Sequence, residues 1–213
     1  MRALPAIALF LAVAAPTSFL DAQMPTTPPG SPNPAAVVAG TYTADPNHTL
    51  VTWSVDHMGL STYTGIFGDV SGTLTLDPRN LAATTVDITI PVSKVTTANA
   101  GLTAHLTRPA ANGGHPDFFG PDMAPAHFVS TRVVVAGRRA TVSGNLTLNG
   151  VTRPVTLAAQ FHGAGRTPPQ MGGKDNVGFN ATATIRRSEF GLGFGVPLVS
   201  DEVRLDIAAA FQK

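Results

Sequence analysis

The sequence predicts an all-β protein whose antiparallel strands close into a barrel. Two observations carry that expectation. Apolar residues recur at every second position in about eight separate segments. Between the segments stand residues that make tight turns, with Asn149-Gly150 the strongest such pair. A long run of antiparallel strands tends to close on itself, because closure removes exposed edges.

In chain order, "HTLVTWSVDH" sets Val51, Trp53 and Val55 against Thr52 and Ser54. "GDVSGTLTLDP" repeats the alternation with Val70, Leu74 and Leu76, and Asp77-Pro78 stops it. "TTVDITIPV" alternates Val86, Ile88 and Ile90 with Asp87 and Thr89. "HFVSTRVVVAG" and "ATVSGNLTLNG" read as a hairpin through Gly137-Arg138, and "NGVTRPVTLAAQF" starts straight after Asn149-Gly150. "NVGFNATATIRR" and "DEVRLDIAAAF" complete the set. Two stretches resist a strand reading. Ser93 to Phe128 is long and irregular, with a short helix expected near Ala98 to Leu106. "MGLSTYTGIF" is expected to hold a helical turn before the second strand.

Eight strands make a barrel whose interior is filled by side chains or holds one ligand. Gly72, Gly144 and Gly178 fall inside strands, and they admit two readings. Either their missing side chains leave room for an apolar ligand, or they only let a curved barrel bend.

The chain ends support a three-part organisation. Residues 1–22 have an early cation, Arg2, an apolar run from Leu4 to Ala15, and small residues near Ala22. That is the pattern of a secretory signal, and the run is too short for a spanning helix, which needs roughly 20 residues. The expected location is therefore the periplasm or the medium, with an uncleaved membrane anchor as the alternative. Residues 23–39 are proline-rich and read as a flexible linker, so the folded domain is expected over 40–213. With 213 residues, one domain is expected.

Composition narrows function. The formal net charge of +1 gives no basic excess for nucleic acid. The absence of cysteine excludes disulfides, thiolate zinc sites and thiol nucleophiles. No Gly-x-Ser-x-Gly elbow or phosphate-cradling loop is present, so no catalytic residue is assigned. The six histidines, His48, His57, His105, His115, His127 and His162, show no metal-ligand spacing, and no metal site is assigned.

Four motifs together resemble the YceI-like proteins, a bacterial lipocalin-like family. The opening "YTADPNHTLVTWSVDHMGLSTYTGIFGDVSGTL" carries Asp45, His48, His57, Gly59, Gly65, Phe67, Gly72 and Leu74 at the family's positions. "LTAHLTRPAANGGHPDFFGPDMAPAHFVS" carries His105, Leu106, Asp117, Phe118, Phe119, Pro125 and Phe128. "GNLTLNGVTRPVTL" is similar to the family's hairpin, and "ATIRRSEFGLGF" carries Arg187, Phe190 and Gly191. The link "TRPAANGG" is longer than the family's usual one.

The resemblance implies an eight-stranded lipocalin-like barrel with an apolar cavity and one or two short helices. It implies a long-chain lipid-like ligand: a polyisoprenoid, an isoprenoid quinone or a fatty-acid-like amphiphile. Pairing as a homodimer is a further implication, while no delivery partner, such as a membrane enzyme, is named by the sequence. No other cofactor is expected, nor stable membrane insertion after cleavage.

The candidate ligand contacts are the inward apolar and aromatic residues. Trp53, Val55, Leu74 and Ile88 stand on the early strands, Phe67 ends the stretch before the second one, and Phe128, Phe161 and Phe179 stand on the later strands. Phe118 and Phe119 lie in the long irregular stretch; Phe190 and Phe194 lie in a glycine-loosened loop expected at the pocket mouth or wall. Plain core packing, or a plug at a barrel end, is the alternative for each. His48, His57 and His105 are candidates to hydrogen-bond a headgroup or the backbone. Arg187 is a candidate for an anionic headgroup, against a pairing of Arg186 and Arg187 with Glu189, Asp201 or Glu202.

Overall fold

The computed structural model describes residues 25–213; the leader segment 1–22 lies outside the described residues. Eleven strands form one antiparallel sheet: β1 (Gly40–Ala44), β2 (Leu50–His57), β3 (Ser61–Phe67), β4 (Ser71–Leu76), β5 (Thr85–Ile90), β6 (Val95–Thr97), β7 (Ala126–Ala136), β8 (Arg139–Leu148), β9 (Val151–Arg166), β10 (Asp175–Arg186) and β11 (Glu202–Gln212). One helix, α1 (Ala100–Thr107), falls where the sequence placed a short helix. Asn99 caps it, its side chain accepting from the Leu102 N–H at 2.9 Å.

The eleven strands make eight staves, because three staves are broken. β1 and β2 form one, β3 and β4 the next, β5 and β6 the third. β2 pairs with β3 and β1 with β4; β4 pairs with β5 and β3 with β6. From β5 the order runs through β7, β8, β9 and β10 to β11, which closes the ring on both β1 and β2. The result is a closed eight-stave antiparallel barrel.

Each break has a local cause. At the first, Thr49 is buried and its hydroxyl stands in for a strand backbone, donating to the Ala210 carbonyl (3.0 Å) and accepting the Ala210 N–H (3.1 Å). At the second, Asp69 takes a left-handed backbone (φ 53°). At the third, Pro91 offers no N–H to the ladder and opens a tight turn over Val92–Lys94.

The hairpins follow the sequence closely. Asn149 and Gly150 both have positive φ (52° and 73°), the mirror-image turn that matches strand twist. Gly137 is also left-handed (φ 61°) between β7 and β8. The expected helical turn in "MGLSTYTGIF" is instead a bend at Met58 and Gly59 followed by β3. Tyr63, Gly65 and Phe67 are its inward set, and the central glycine hides the alternation.

The segment read as a flexible linker also behaves differently from Pro29 onward. Ser31 exchanges two backbone hydrogen bonds with Ala164, each 3.0 Å. It thereby takes the edge that β8 leaves free, since β8 pairs with β9 only as far as Gln160. Two glycines make the bed: a Cβ on Gly165 would stand 2.1 Å from the Pro29 carbonyl oxygen, and one on Gly163 3.0 Å from that of Ser31. Proline costs little here because only one residue joins a ladder.

Candidate functional site

A cavity of about 280 Å³ lies inside one half of the barrel. Its wall is built from the inward residues of neighbouring strands, among them Leu74, Ile88, Val142, Leu157, Phe179 and Ile207. Its rim comes from three connectors: Pro78, Leu81 and Thr84 between β4 and β5; Gly137 and Arg138 between β7 and β8; and Pro34 and Val37 of the strap from Pro29 to Ala39. The strap is fastened on the far side too. Tyr42 donates its hydroxyl to the Val38 carbonyl, and the Lys213 ammonium reaches the carbonyls of Val38 and Ala39.

Alanines, not glycines, make the room. Ala140, Ala159 and Ala181 stand side by side at one level on β8, β9 and β10, and all three border the cavity. Two of the in-strand glycines serve close approach instead. A Cβ on Gly72 would stand 2.1 Å from the Asp87 carbonyl oxygen, and one on Gly144 2.4 Å from the ring of Phe128. Gly178 sits beside an irregularity in the β9–β10 register and faces ordinary packing. None of the three borders the cavity, so the reading that they leave room for a ligand is corrected: Gly72 and Gly144 make way for neighbouring atoms of the barrel wall.

Of the candidates from the sequence, Leu74, Ile88, Phe128, Phe161 and Phe179 border the cavity. Phe161 and Phe179 meet edge to face at 5.8 Å. The other ten do not border it. Trp53, Val55 and Phe67 point inward in the opposite half, where they belong to a packed core with Val92, Leu106, Phe190 and Leu192. The indole of Trp53 covers Gly65, whose absent Cβ would stand 2.2 Å from the ring. Phe67 meets Phe119 edge to face at 5.7 Å. His105, Phe118 and Phe194 form a second aromatic group with centroids 5.3 to 6.0 Å apart.

The loop from Phe190 to Leu198 therefore caps the barrel end opposite the rim. Arg187 holds that cap. It is buried, and its guanidinium donates to the carbonyls of Ser200, Leu192, Phe194 and Val199. Burial lowers its pKa from the usual arginine value. The headgroup role and the pairing with Glu189, Asp201 or Glu202 both give way to this one: it stitches a loop to itself through its backbone. Neighbouring Arg186 lies 3.9 Å from Glu202. Asp201 fixes the other side of the same turn, accepting from the Ser188 N–H and hydroxyl, both 2.8 Å, and those bonds lower its pKa.

The histidines are dispersed. His57 ends β2 at the capped end, exposed, in a backbone bridge with Val199. His105 Nε2 donates to Asp117 at 2.9 Å, and Arg108 binds the same carboxylate oxygen. These two bonds hold the Asp117 carboxyl below its ordinary range, His105 contributing first. His48 pairs with Asp45, and His127 with Asp87, each at 2.6 Å. Among the described residues no group of three or more potential ligands is placed to hold a metal ion, and no helix is long and apolar enough to cross a membrane.

The comparisons agree with this architecture. The family model described as a YceI-like domain matches residues 42–211. Protein YceI of Salmonella arizonae is 38% identical over 176 residues, covering 81% of this chain and 87% of that protein. The crystal structure of Burkholderia cenocepacia BcnA superposes with a TM-score of 0.65 at 23% identity, covering 78% of this chain and 98% of that one. A polyisoprenoid binding domain from Saccharophagus degradans, implicated in plant cell wall breakdown, superposes with a TM-score of 0.56 at 14% identity, covering 80% and 97%. On the family match and the relationship to the Salmonella protein, this chain belongs to the YceI-like family.

Proposed function

We propose that the protein is a carrier that binds a long-chain apolar ligand, a polyisoprenoid, an isoprenoid quinone or a fatty-acid-like amphiphile, inside the barrel. The observation that carries this reading is the cavity itself: closed by strands on all sides, walled by Val, Leu, Ile, Phe and Ala, and opening at one rim. Such a wall offers an apolar chain removal from water at about 0.8 kcal/mol per methylene and offers a reacting group nothing to react with. The YceI-like family membership and the polyisoprenoid-binding neighbour support the same ligand class. The leader pattern in residues 1–22 supports work in the periplasm or outside the cell, in storage, transport or stress protection. Binding rather than catalysis is the reading, because the six histidines stand apart and away from the cavity wall.

Extraction of the protein from its native compartment with organic solvent, followed by lipid mass spectrometry against a denatured blank, tests this. A stoichiometric isoprenoid, quinone or acyl chain is expected. A clean extract from folded protein that also takes up no long-chain probe would sink the proposal.

A further inference from the structure

The cavity is apolar along its depth, but its rim is cationic. The β7–β8 turn places Arg138 on it, and Arg139, the first residue of β8, borders it as well. Two other arginines near that end are already paired: Arg79 lies 3.2 Å from Asp77, and Arg166 lies 3.1 Å from Asp175; the Lys213 ammonium is spent on the carbonyls of Val38 and Ala39. Neither Arg138 nor Arg139 has a carboxylate within ion-pair distance among the described residues. Arg138 is tied to the wall through Phe161. The Phe161 N–H donates to the Arg138 carbonyl at 2.8 Å, and Arg138 Nη2 donates to the Phe161 carbonyl at 3.2 Å. Phe161 is itself a wall residue, so the guanidinium is held where wall meets opening. One of its five N–H groups is used there, and the remainder are unclaimed by protein carboxylates.

We infer that the bound chain is an anionic amphiphile whose carboxylate or phosphate head sits at the rim on Arg138 and Arg139, with its tail running down the barrel. This rests on the carrier reading above and adds an orientation and a charge to it. A guanidinium fork matches the oxygens of either head in bidentate fashion. Pro34 and Val37 border the same opening and thin the water around the pair, which strengthens it. Arg187, the arginine that the family motif brings forward, is sealed at the other end with its donors spent on carbonyls. The head therefore needs different partners.

Calorimetric titration of the full domain at pH 8 with decanoate, decyl phosphate and decan-1-ol tests the inference at constant chain length. At least one of the two anions is expected to bind about tenfold more tightly than the alcohol, a preference that falls as salt is added. Preference for both anions, or for one alone, supports the inference and names the head. In R138A/R139A the ratio of anion to alcohol affinity is expected to fall to about one, and in R138E/R139E to invert. Equal binding of all three probes by the unmodified protein, or an anion preference that survives in R138A/R139A, overturns the inference and leaves the carrier reading standing. Binding of no probe by folded protein removes both.

Discussion

Filling the alanine level should shrink the cavity without harming the fold. The perturbation is Ala159→Leu with Ala181→Leu, two residues that face each other across β9 and β10 and both border the cavity. The cavity volume of about 280 Å³ accommodates roughly nine chain carbons at about 30 Å³ each. Two Ala→Leu changes add six heavy atoms, or about 180 Å³ on the same scale, and leave space for about three carbons. At about 0.8 kcal/mol per methylene, the excluded part of the chain represents about 5 kcal/mol of apolar transfer, which is roughly three orders of magnitude in affinity. Because the new side chains occupy existing space, stability should change by no more than about 1 kcal/mol in either direction. Titration with decan-1-ol reads the affinity, and urea unfolding reads the stability. Undiminished decan-1-ol binding by a folded A159L/A181L protein would refute the placement of the ligand.

Four further outcomes are expected. Arg187→Lys removes a fork that satisfies four carbonyls, and a single ammonium cannot reach all of them; a loss of about 2–4 kcal/mol in urea unfolding is expected. Gly65→Ala drives a methyl into the Trp53 ring and should cost about 1–3 kcal/mol in the same assay, whereas Gly65→Ala with Trp53→Phe should recover much of it, since the Trp53 Nε1–H has no partner to lose. Asp201→Asn should flatten the acid limb of the stability profile. The folded-state pKa of Asp201 is lowered by the Ser188 N–H and hydroxyl, so its contribution is full above the unfolded carboxyl value of about 4 and is lost as pH falls through the lower folded value; a difference between the two proteins that persists unchanged at the acid extreme would contradict this. Deleting residues 25–37 should speed release of a bound decyl probe in stopped-flow displacement, because Pro34 and Val37 cover part of the rim while Ser31 alone ties the strap to β9. An unchanged release rate would mean that the strap is no obstacle.

The fold was largely readable because in-and-out alternation and turn chemistry are local. Val51, Trp53 and Val55 all point inward as their period requires, and Asn149-Gly150 makes the turn its residues favour. β3 escaped notice because Gly65 occupies its central inward position, and the reason for that glycine, the Trp53 ring, lies on another strand. The site was less readable for a different reason. A period of two tells which face of the sheet a side chain takes, but not its height along the barrel axis. Phe161 and Trp53 are equally inward, yet one walls the cavity and the other packs the capped half. Height is set by register and by the breaks in three staves, which depend on pairings between distant strands. Arg187 was misjudged on the same ground: a cation after an oily strand signals a barrel end without saying which one. The alanines of the cavity level carry a readable signal, small residues at inward positions of three successive strands, but it becomes visible only once the register aligns them.

The cap at the Arg187 end has a consequence for traffic. A tube open at both ends could take cargo from one membrane and hand it onward to another, with donor and acceptor docked together. A tube stoppered by its own loop is a vial. On the carrier reading proposed above, whatever fills it and whatever empties it must use the same neck in turn, so a donor and an acceptor would compete for one face, with the strap from Pro29 to Ala39 across it for both.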